Sequence, residues 1–532
     1  SLGYNERQYE TMEGTLSFRH KFWNMIDVNA VAGMGRYLDK GTGMTVSYQN
    51  ANDMINDSNL AAADGPFSPT SYKYENEKRS QFLRASFDVL DRYVLTGTLR
   101  RDGTDKFFPD KKYSLFPSAS VAWKMSNESF MQHLSWLNLL KVRASYGVTG
   151  SDNLGTSLYG IIGISREDVK FSNSGVTYVP YALQSANYSD VTWQKTAMKN
   201  IGLDFSILKD KIWGSLDFFR NDVTNLLGTA PTSLLNMYGY RPINGGHYKR
   251  TGVELSLNTL NIQTPNFKWT SSLALSHYNA YWIERMPNFD YKKYQKRENE
   301  PMSAYYYYKT VGVINEDRSN MPDSQRSLPR EAQLPGYPII DDRNGDGKID
   351  IDDIYMDNTL PKVYYGFGNT FTYKNFDLDI YMYGQLGVKK FNSTHASNCS
   401  AANLASGTLA SNPTDYAYAI WNSQTNPNGT VPGIASSKSV ALPENAPINT
   451  FWEKASFLRV RNITLGYNWD TRKLAFLKGN VQTIRLFVDF QNPFTLTKFE
   501  GDDPEITTAA GNLGHGQYPQ LRVYSFGAKI SF

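Results

Sequence analysis

Hydrophobic and polar positions alternate along most of this chain. In the last segment the apolar side chains are Tyr524, Phe526, Ala528, Ile530 and Phe532, and polar residues or glycine separate them. Successive side chains of a β-strand point to opposite faces, so this period of two predicts a strand with one apolar and one polar face. About fifteen segments share the pattern, among them 200–207, 211–218, 376–382 and 484–490.

The connections between these segments are of two lengths. Short links near 23–24, 91, 125–137, 208–211, 259–267, 374–375 and 470–480 alternate with long ones near 35–78, 102–115, 149–196, 221–249, 278–361, 386–456 and 491–520. Outer-membrane barrels have short periplasmic turns and long extracellular loops, and tilted strands of about ten residues cross the bilayer. The sequence therefore predicts an all-β fold, a transmembrane antiparallel β-barrel with extracellular long loops and a periplasmic C-terminus.

The strand count carries a further expectation. An open sheet edge in hydrocarbon leaves backbone groups unpaired at a cost of several kcal/mol each, so a membrane barrel has to close. Bacterial barrels usually have an even number of strands and both termini in the periplasm. Fifteen strands place residues 1–13 outside, which predicts that a preceding strand is absent from this sequence. The alternative is a miscount by one, with 305–314 as the missed strand.

One strand changes phase along its length. Between 457 and 469 the apolar residues occupy even positions up to Val460 and odd positions from Ile463. A β-bulge inserts one extra residue into a strand and restores the facing of the side chains. We predict such a bulge near Arg461 and Asn462.

The amino-acid composition limits the classes of protein to which this chain can belong. Aromatic residues make up 14% of the 532 residues and include 36 tyrosines, which suit the water–membrane interface. No run of about 18 apolar residues occurs, so a transmembrane helix is excluded. The net charge of +4 is spread without long runs, so no nucleic-acid partner is expected. The single cysteine, Cys399, cannot form an internal disulfide and is predicted to be a small buried or loop residue.

Five stretches resemble one known family. They are 139–155 (LLKVRASYGVTGSDNLG), 200–227, 342–353 (DRNGDGKIDIDD), 457–469 (FLRVRNITLGYNW) and 487–505 (LFVDFQNPFTLTKFEGDDPE). In colinear order, over about residue 80 to Phe532, the chain resembles the C-terminal barrel portion of the SusC/RagA-like TonB-dependent transporters of Bacteroidetes outer membranes.

The resemblance implies a 22-stranded barrel filled by a plug domain. Residues 1–532 would supply 15–16 of these strands, without the plug. It also implies coupling to TonB through the absent N-terminal part, a surrounding outer-membrane lipid bilayer and a SusD-like surface lipoprotein that covers the lumen. The implied cargo is an oligosaccharide or a peptide. Loops 278–361 and 386–455 would then face the lipoprotein.

One stretch has the spacing of a metal-binding loop. Residues 342–353 match an EF-hand calcium loop through nine positions, and the candidate ligands are Asp342, Asn344, Asp346, the carbonyl of Lys348, Asp350 and, at position twelve, Asp353. Gly347 permits the sharp turn, whereas aspartate at position twelve reaches less far than glutamate. The sequence predicts a Ca²⁺ site here, and the alternative is a metal-free turn built by the same residues.

The remaining motifs favour transport over catalysis. The acidic stretch 500–505 (EGDDPE) is predicted to be a solvated turn. The strand residues Asp377 and Asp379 are predicted to be polar residues of a lumen wall. No H-E-x-x-H, G-x-S-x-G or Walker motif is present, so no enzyme is predicted. The leading hypothesis is active import of an oligomeric nutrient, and the alternatives are a structural anchor for surface partners and a passive porin. The substrate-binding residues stay unassigned.

Overall fold

The computed structural model describes most of the chain. It covers residues 2–47, 68–154, 158, 161–164, 171–173, 176–178, 181–185, 187–232, 240–295, 297–399, 418–433, 442–470, 481, 483–501, 503–505 and 520–531. Phe532, residues 471–480 of the predicted short link 470–480, and parts of six predicted long loops lie outside these residues. Strands dominate the described part of the chain, and none of its helices is long and apolar enough to cross a membrane.

In the described part of the chain, fifteen long strands form one antiparallel sheet in sequence order. They are β1 (Leu2–Phe22), β2 (Ile26–Ser47), β3 (Ser68–Val89), β4 (Tyr93–Thr104), β5 (Tyr113–Lys124), β6 (Leu137–Ser151), β7 (Gln194–Ile207), β8 (Ile212–Pro231), β9 (Tyr240–Gln263), β10 (Phe267–Glu284), β11 (Val363–Tyr373), β12 (Phe376–Leu386), β13 (Phe457–Asp470), β14 (Thr483–Gln491) and β15 (Val523–Ser531). A short sixteenth strand, Thr495–Thr497, pairs with β13.

The all-β, antiparallel fold and the count of fifteen long strands are confirmed. The region 305–314 does not supply a missed barrel strand, because it forms parts of two small separate sheets, Ala304–Tyr307 with Tyr355–Asn358 and Thr310–Val313 with Pro338–Ile340. Within the described residues β1 pairs only with β2 and β15 only with β14, so the sheet is not closed by these two strands.

Tight turns join the strands at one end of the sheet. The links Trp23–Asn24, Leu90–Asp91 and Leu208–Asp210 have positive φ throughout, the backbone conformation that lets a hairpin turn match the twist of its strands. The long connections lie at the other end, as the alternation of link lengths predicts.

Two predicted long loops are wrong in their bounds. The structure continues β2 to Ser47 and begins β3 at Ser68, inside the predicted loop 35–78, and β8 and β9 fill most of the predicted loop 221–249. These strand ends carry polar residues on both faces, so the period of two disappears although the backbone ladder continues. Strands of 21 and 22 residues are about twice as long as a bilayer crossing needs.

The predicted bulge is confirmed. Tyr381 of β12 faces Asn462 and Met382 faces Val460, so Arg461 is the extra residue. The residues of β13 on the apolar side have even numbers up to Val460 and odd numbers from Ile463 onward.

Short elements fill the long connections. The strand pairs are Ile161–Ile164 with Tyr181–Ser185, Phe171–Asn173 with Val176–Tyr178, and Lys389–Phe391 with Trp452–Lys454. The described residues of these connections also form an α-helix, α1 (Ser393–Asn398). Short 3-10 helices cover Met125–Asn127, Lys293–Gln295, Asp323–Ser327, Arg330–Gln333, Ile351–Asp353 and Pro443–Asn445.

The two faces of the sheet differ in chemistry. One, called the apolar face, presents exposed large side chains, among them Leu83, Leu99, Ile201, Phe218 and Phe526. The other, called the polar face, carries cross-strand ion pairs, such as those that join Arg143 to neighbouring aspartates. Buried hydrophobic clusters are found where the long connections pack together and, in one cluster, against Phe116 of β5.

Candidate functional site

The connection between β10 and β11 folds into a compact unit. We call residues 285–362 together with 442–452 the loop module. Its core contains Tyr306, Tyr308, Leu328, Ala332, Ile340, Ile349, Ile354, Leu442 and Ala446. Backbone bonds from Tyr308 to Pro447 (2.8 Å) and from Asn449 to Tyr308 (3.3 Å) join its two parts.

Four consecutive tyrosines organise this module. Because side chains alternate along the strand, Tyr306 and Tyr308 enter the core while Tyr305 and Tyr307 stack on the other side. Tyr305 stacks on Trp452 with ring centroids 3.8 Å apart. Burial raises the pKa of Tyr306 to about 12, and its hydroxyl donates to the buried carboxylate of Glu300. These hydroxyls are therefore neutral donors that stiffen the module.

The candidate calcium loop lies on the surface of the loop module. Asp342 accepts the backbone N–H groups of Gly345 (2.8 Å) and Gly347 (2.9 Å). Asn344 and Asp346 accept those of Asp346 (3.1 Å) and Lys348 (2.9 Å). Gly345 and Gly347 have φ values of 71° and 81°, which glycine adopts without steric cost. The loop thus uses its carboxylate and amide oxygens to hold its own backbone turns.

Asp353 closes this loop from below. Its carboxylate is fully buried, and its two oxygens accept the backbone N–H groups of Arg343 (2.8 Å) and Asp350 (2.8 Å). Burial raises the pKa of the Asp353 carboxyl, against the effect of these backbone donors. Asp350 caps the 3-10 helix Ile351–Asp353 by accepting from Asp352. The structure thus uses Asp350 and Asp353 as braces of the loop.

The donor chemistry of the loop fits a hard cation. Carboxylate, amide and carbonyl oxygens are the ligands that Ca²⁺ takes, and each carboxylate keeps lone pairs beyond its backbone bonds. Within the described residues, no group of three or more His, Cys, Asp or Glu side chains stands at metal-binding distances. Closing a calcium shell here therefore requires the amide of Asn344 and the carbonyl of Lys348 as well as movement of the exposed loop.

A buried ionic cluster joins the long-loop end of the sheet to the segment after β14. Arg459 of β13 donates to Asp503 (2.6 Å) and Glu505 (2.5 Å), and Tyr383 of β12 donates to Glu505 (2.6 Å). Lys390 donates to the carbonyl of Pro504, and burial lowers the pKa of its ammonium group. The prediction that 500–505 is a solvated turn is wrong for Asp503, which is 4% exposed, because the stretch folds onto a buried arginine.

The polar face carries charges and stacked rings. Arg143 of β6 donates to Asp204 of β7 (3.1 Å) and Asp217 of β8 (2.6 Å). Higher on the sheet, Tyr278 and Tyr364 stack in parallel with centroids 5.6 Å apart. Asp377 and Asp379 lie on this face as predicted, where Arg485 pairs with Asp377 and Thr370 donates to Asp379 (2.6 Å).

A recess in the polar face has a volume of about 610 Å³. Its wall includes Asn200, Phe219, Arg250, Glu254 and Tyr278, with small serines between them. The Arg250 guanidinium lies 5.2 Å from the Tyr278 ring centroid. Mixed charges, amides and ring faces suit a polar oligomer that offers both hydrogen bonds and flat apolar surfaces. Sequence reasoning did not select these residues, although inward parity marks them all.

Comparison with known proteins identifies relatives for nearly the whole chain. The model of a family described as TonB dependent receptor-like, beta-barrel, matches residues 2–492. TonB-dependent receptor P3 of Formosa agariphila is 28% identical over 506 residues, which cover 89% of this chain and 47% of that protein. TonB-dependent receptor SusC of Bacteroides thetaiotaomicron is 27% identical over 476 residues, which cover 87% and 44%. The chain thus spans about half the length of these curated relatives.

Solved structures support the fold. The chain superimposes on a chain of the RagAB peptide transporter with a TM-score of 0.77, which covers 100% of this chain and 56% of that one. Sequence identity across the superposition is 18%. At this identity the match establishes the shared arrangement of strands.

Proposed function

The chain belongs to the TonB-dependent receptor-like β-barrel family, and on that premise we propose that it forms most of the wall of an active importer for oligomeric nutrients. Receptors of this family lie in the outer membrane, with SusC among the relatives. The single observation that supports import best is the polar face, whose recess of about 610 Å³ offers charges, amides and stacked rings to a passing polar chain.

The proposed cargo is an oligosaccharide or a peptide. Tyr278 and Tyr364 present flat rings that suit sugar faces, whereas Arg143 and Arg250 suit peptide carboxylates. The experiment is uptake of labelled oligosaccharides and of labelled peptides by cells that carry the full-length protein, compared with cells that lack the gene. Gene-dependent uptake that a protonophore stops is expected. Gene-dependent uptake that survives the protonophore indicates a passive porin, and no uptake at all indicates an anchor.

The proposed partners are TonB and a SusD-like surface lipoprotein. The loop module supports the second, because its packed core gives the long-loop end of the sheet a firm surface on which a lid can rest. Mild-detergent purification of the full-length protein tests this pairing. Co-purification of one lipoprotein in equal amount is the expected result, and recovery of the barrel alone would oppose it.

The proposed orientation puts the long loops outside and the C-terminus in the periplasm. An epitope inserted between Ser319 and Asn320, in an exposed turn of the loop module, is expected to bind antibody on intact cells. The same epitope at Lys209, in the short turn between β7 and β8, serves as the matched control and is expected to bind only after the cells are broken. The reverse pattern would overturn the orientation.

We also propose that the loop 342–353 takes up Ca²⁺. The proposed ligands are Asp342, Asn344, Asp346, the carbonyl of Lys348 and Asp350, which also caps the short helix after it. Asp353, the candidate at position twelve, braces the loop instead, because both of its oxygens already accept backbone N–H groups. The support is the set of oxygen donors and the glycine-permitted curl of the backbone. Bound calcium would fix an exposed loop of the module, which is a structural effect.

A further inference from the structure

Three arginines line up on the apolar face of three adjacent strands. Arg36 of β2 faces Arg79 of β3 directly, and Gln81, two residues further along β3, faces Arg101 of β4. By the period of two they share their face with Met34, Leu83 and Leu99. All three side chains are exposed, and they share the apolar face of the sheet with the polar residues Glu77 and Gln81.

An apolar groove lies directly below this arginine row. It has a volume of about 740 Å³ and crosses β1 to β5. Five large apolar side chains in its wall are between 46% and 76% exposed, namely Leu16, Met34, Leu83, Leu99 and Leu115. Gly14 and Ala32 form its low floor, and a Cβ atom added at Gly14 would meet nothing within 4 Å. The guanidinium-bearing Arg101 belongs to the same groove.

The arginine row keeps an excess of positive charge. Glu77 pairs with Arg36 (3.1 Å) and with Arg79, so one carboxylate serves two guanidinium groups. Glu10 adds a weaker field at Arg36. Arg101 lies over the Tyr113 ring at 4.1 Å, and in the described part of the chain no carboxylate stands at ion-pair distance from it. Guanidinium groups match phosphate in charge and in their fork of donors.

The height of the row matches the edge of a membrane. Ten residues separate Ile26, at the turn end of β2, from Arg36, which is roughly 33 Å along a strand. A strand tilted by about 40° rises roughly 25 Å over that length, the height of the apolar band of an outer-membrane barrel. The groove therefore lies among acyl chains and the arginines lie at the head groups of the leaflet on the long-loop side.

We propose that this groove and arginine row bind a phosphorylated glycolipid of the outer leaflet. One acyl chain lies along Leu16, Met34 and Leu83, and a phosphate is held by Arg79 and Arg101. The proposal rests on the orientation given under the proposed function, which makes the long-loop side the outer leaflet. Continuity of the groove with the apolar face favours a lipid over a second copy of the chain, because acyl chains already cover its surroundings.

The experiment uses full-length protein, stripped of lipid in detergent and offered purified lipid A or phosphatidylglycerol, with retained lipid counted by native mass spectrometry. The double variant Arg79→Gln with Arg101→Gln is expected to retain lipid A at least tenfold less well. Arg7→Gln is the matched control, because Arg7 is an exposed arginine on the polar face and the change is expected to leave lipid A retention unaltered. Equal retention by the double variant and the control would overturn the proposal.

A second variant tests the groove without touching a charge. Gly14→Leu fills open space and is expected to reduce lipid A retention several-fold, whereas Ala528→Leu, on the apolar face of β15, leaves it unchanged. Heat-dependent gel mobility verifies that each barrel is folded. Arginine-dependent retention of phosphatidylglycerol in preference to lipid A, or a dimer that the double variant dissociates, would overturn the proposal. The uptake assay is separate, so failure of import and failure of lipid binding are told apart.

Discussion

Arg459 and Asp503 form an ion pair of 2.6 Å in which the side chains are only 2% and 4% exposed. The two residues lie 44 positions apart, on β13 and in the segment after β14. Burying two charges is unfavourable unless each is paired and hydrogen-bonded. Here Thr495 accepts from the Arg459 Nε (2.9 Å), and Asp503 also accepts from the Glu505 backbone (2.9 Å), so the pair holds this segment on the sheet.

Arg459→Met is expected to release the segment 499–505 from β13. Removing one partner of a buried ion pair leaves an uncompensated charge and costs about 3–5 kcal/mol. Hydrogen exchange of the full-length protein measures the change as lost protection in that segment. Arg461→Met is the control, because Arg461 is the exposed residue of the bulge. Adding Asp503→Asn to Arg459→Met is expected to restore part of the protection, and retained protection in Arg459→Met would contradict the role of the pair.

Asp342→Ala is expected to abolish calcium binding by the loop 342–353. The change removes a carboxylate at position one and the acceptor of two backbone bonds that shape the curl. Calorimetry with Ca²⁺ on the full-length protein measures binding, and hydrogen exchange with and without a chelator measures loop order. Asp352→Asn is the matched control, since Asp352 is exposed and lies outside the proposed ligand set. Absence of Ca²⁺ binding by the wild-type protein at millimolar Ca²⁺ would contradict the proposed calcium site.

The thiol of Cys399 is expected to resist alkylation in the folded protein. Burial raises its pKa to about 11, so the reactive thiolate is about one molecule in a thousand at pH 8. Iodoacetamide labelling should be roughly 100-fold slower than in denatured protein. Because the folded pKa is the raised one, labelling of the folded protein should accelerate as the pH rises from 8 to 11. Equal rates in both states would show that the thiol is open to solvent.

Gly384→Ala is expected to destabilise the sheet beside the bulge. A Cβ atom at Gly384 would overlap the carbonyl oxygen of Phe457, which already accepts the Tyr365 hydroxyl (3.0 Å). Overpacking of this kind costs about 1–3 kcal/mol. The folded fraction after extraction, read from heat-dependent gel mobility, should fall. Gly97→Ala is the matched change in an open place, with nothing within 4 Å of its Cβ, and a similar loss there would point to a general effect of alanine.

The sequence by itself determined the strands, their number and the shift at Arg461. These features are local, because alternation is a property of neighbouring residues and one inserted residue reverses it. Alternation did not predict the part of β2 beyond residue 35, because Arg36 and Lys40 make its outward positions polar there. There the backbone ladder with β3 continues without an apolar signal.

Only the tertiary structure decided which polar residues are buried, paired or gathered into a surface. In the sequence, Asp503 is predicted to be exposed to solvent, and only the structure shows Arg459 packed against it. The register of three strands likewise aligns three charges that are far apart in the sequence, Arg36, Arg79 and Arg101. The physical reason is that burial and charge excess depend on partners distant in sequence. Alternation assigns each side chain to a face, whereas strand register and loop packing decide what it meets there.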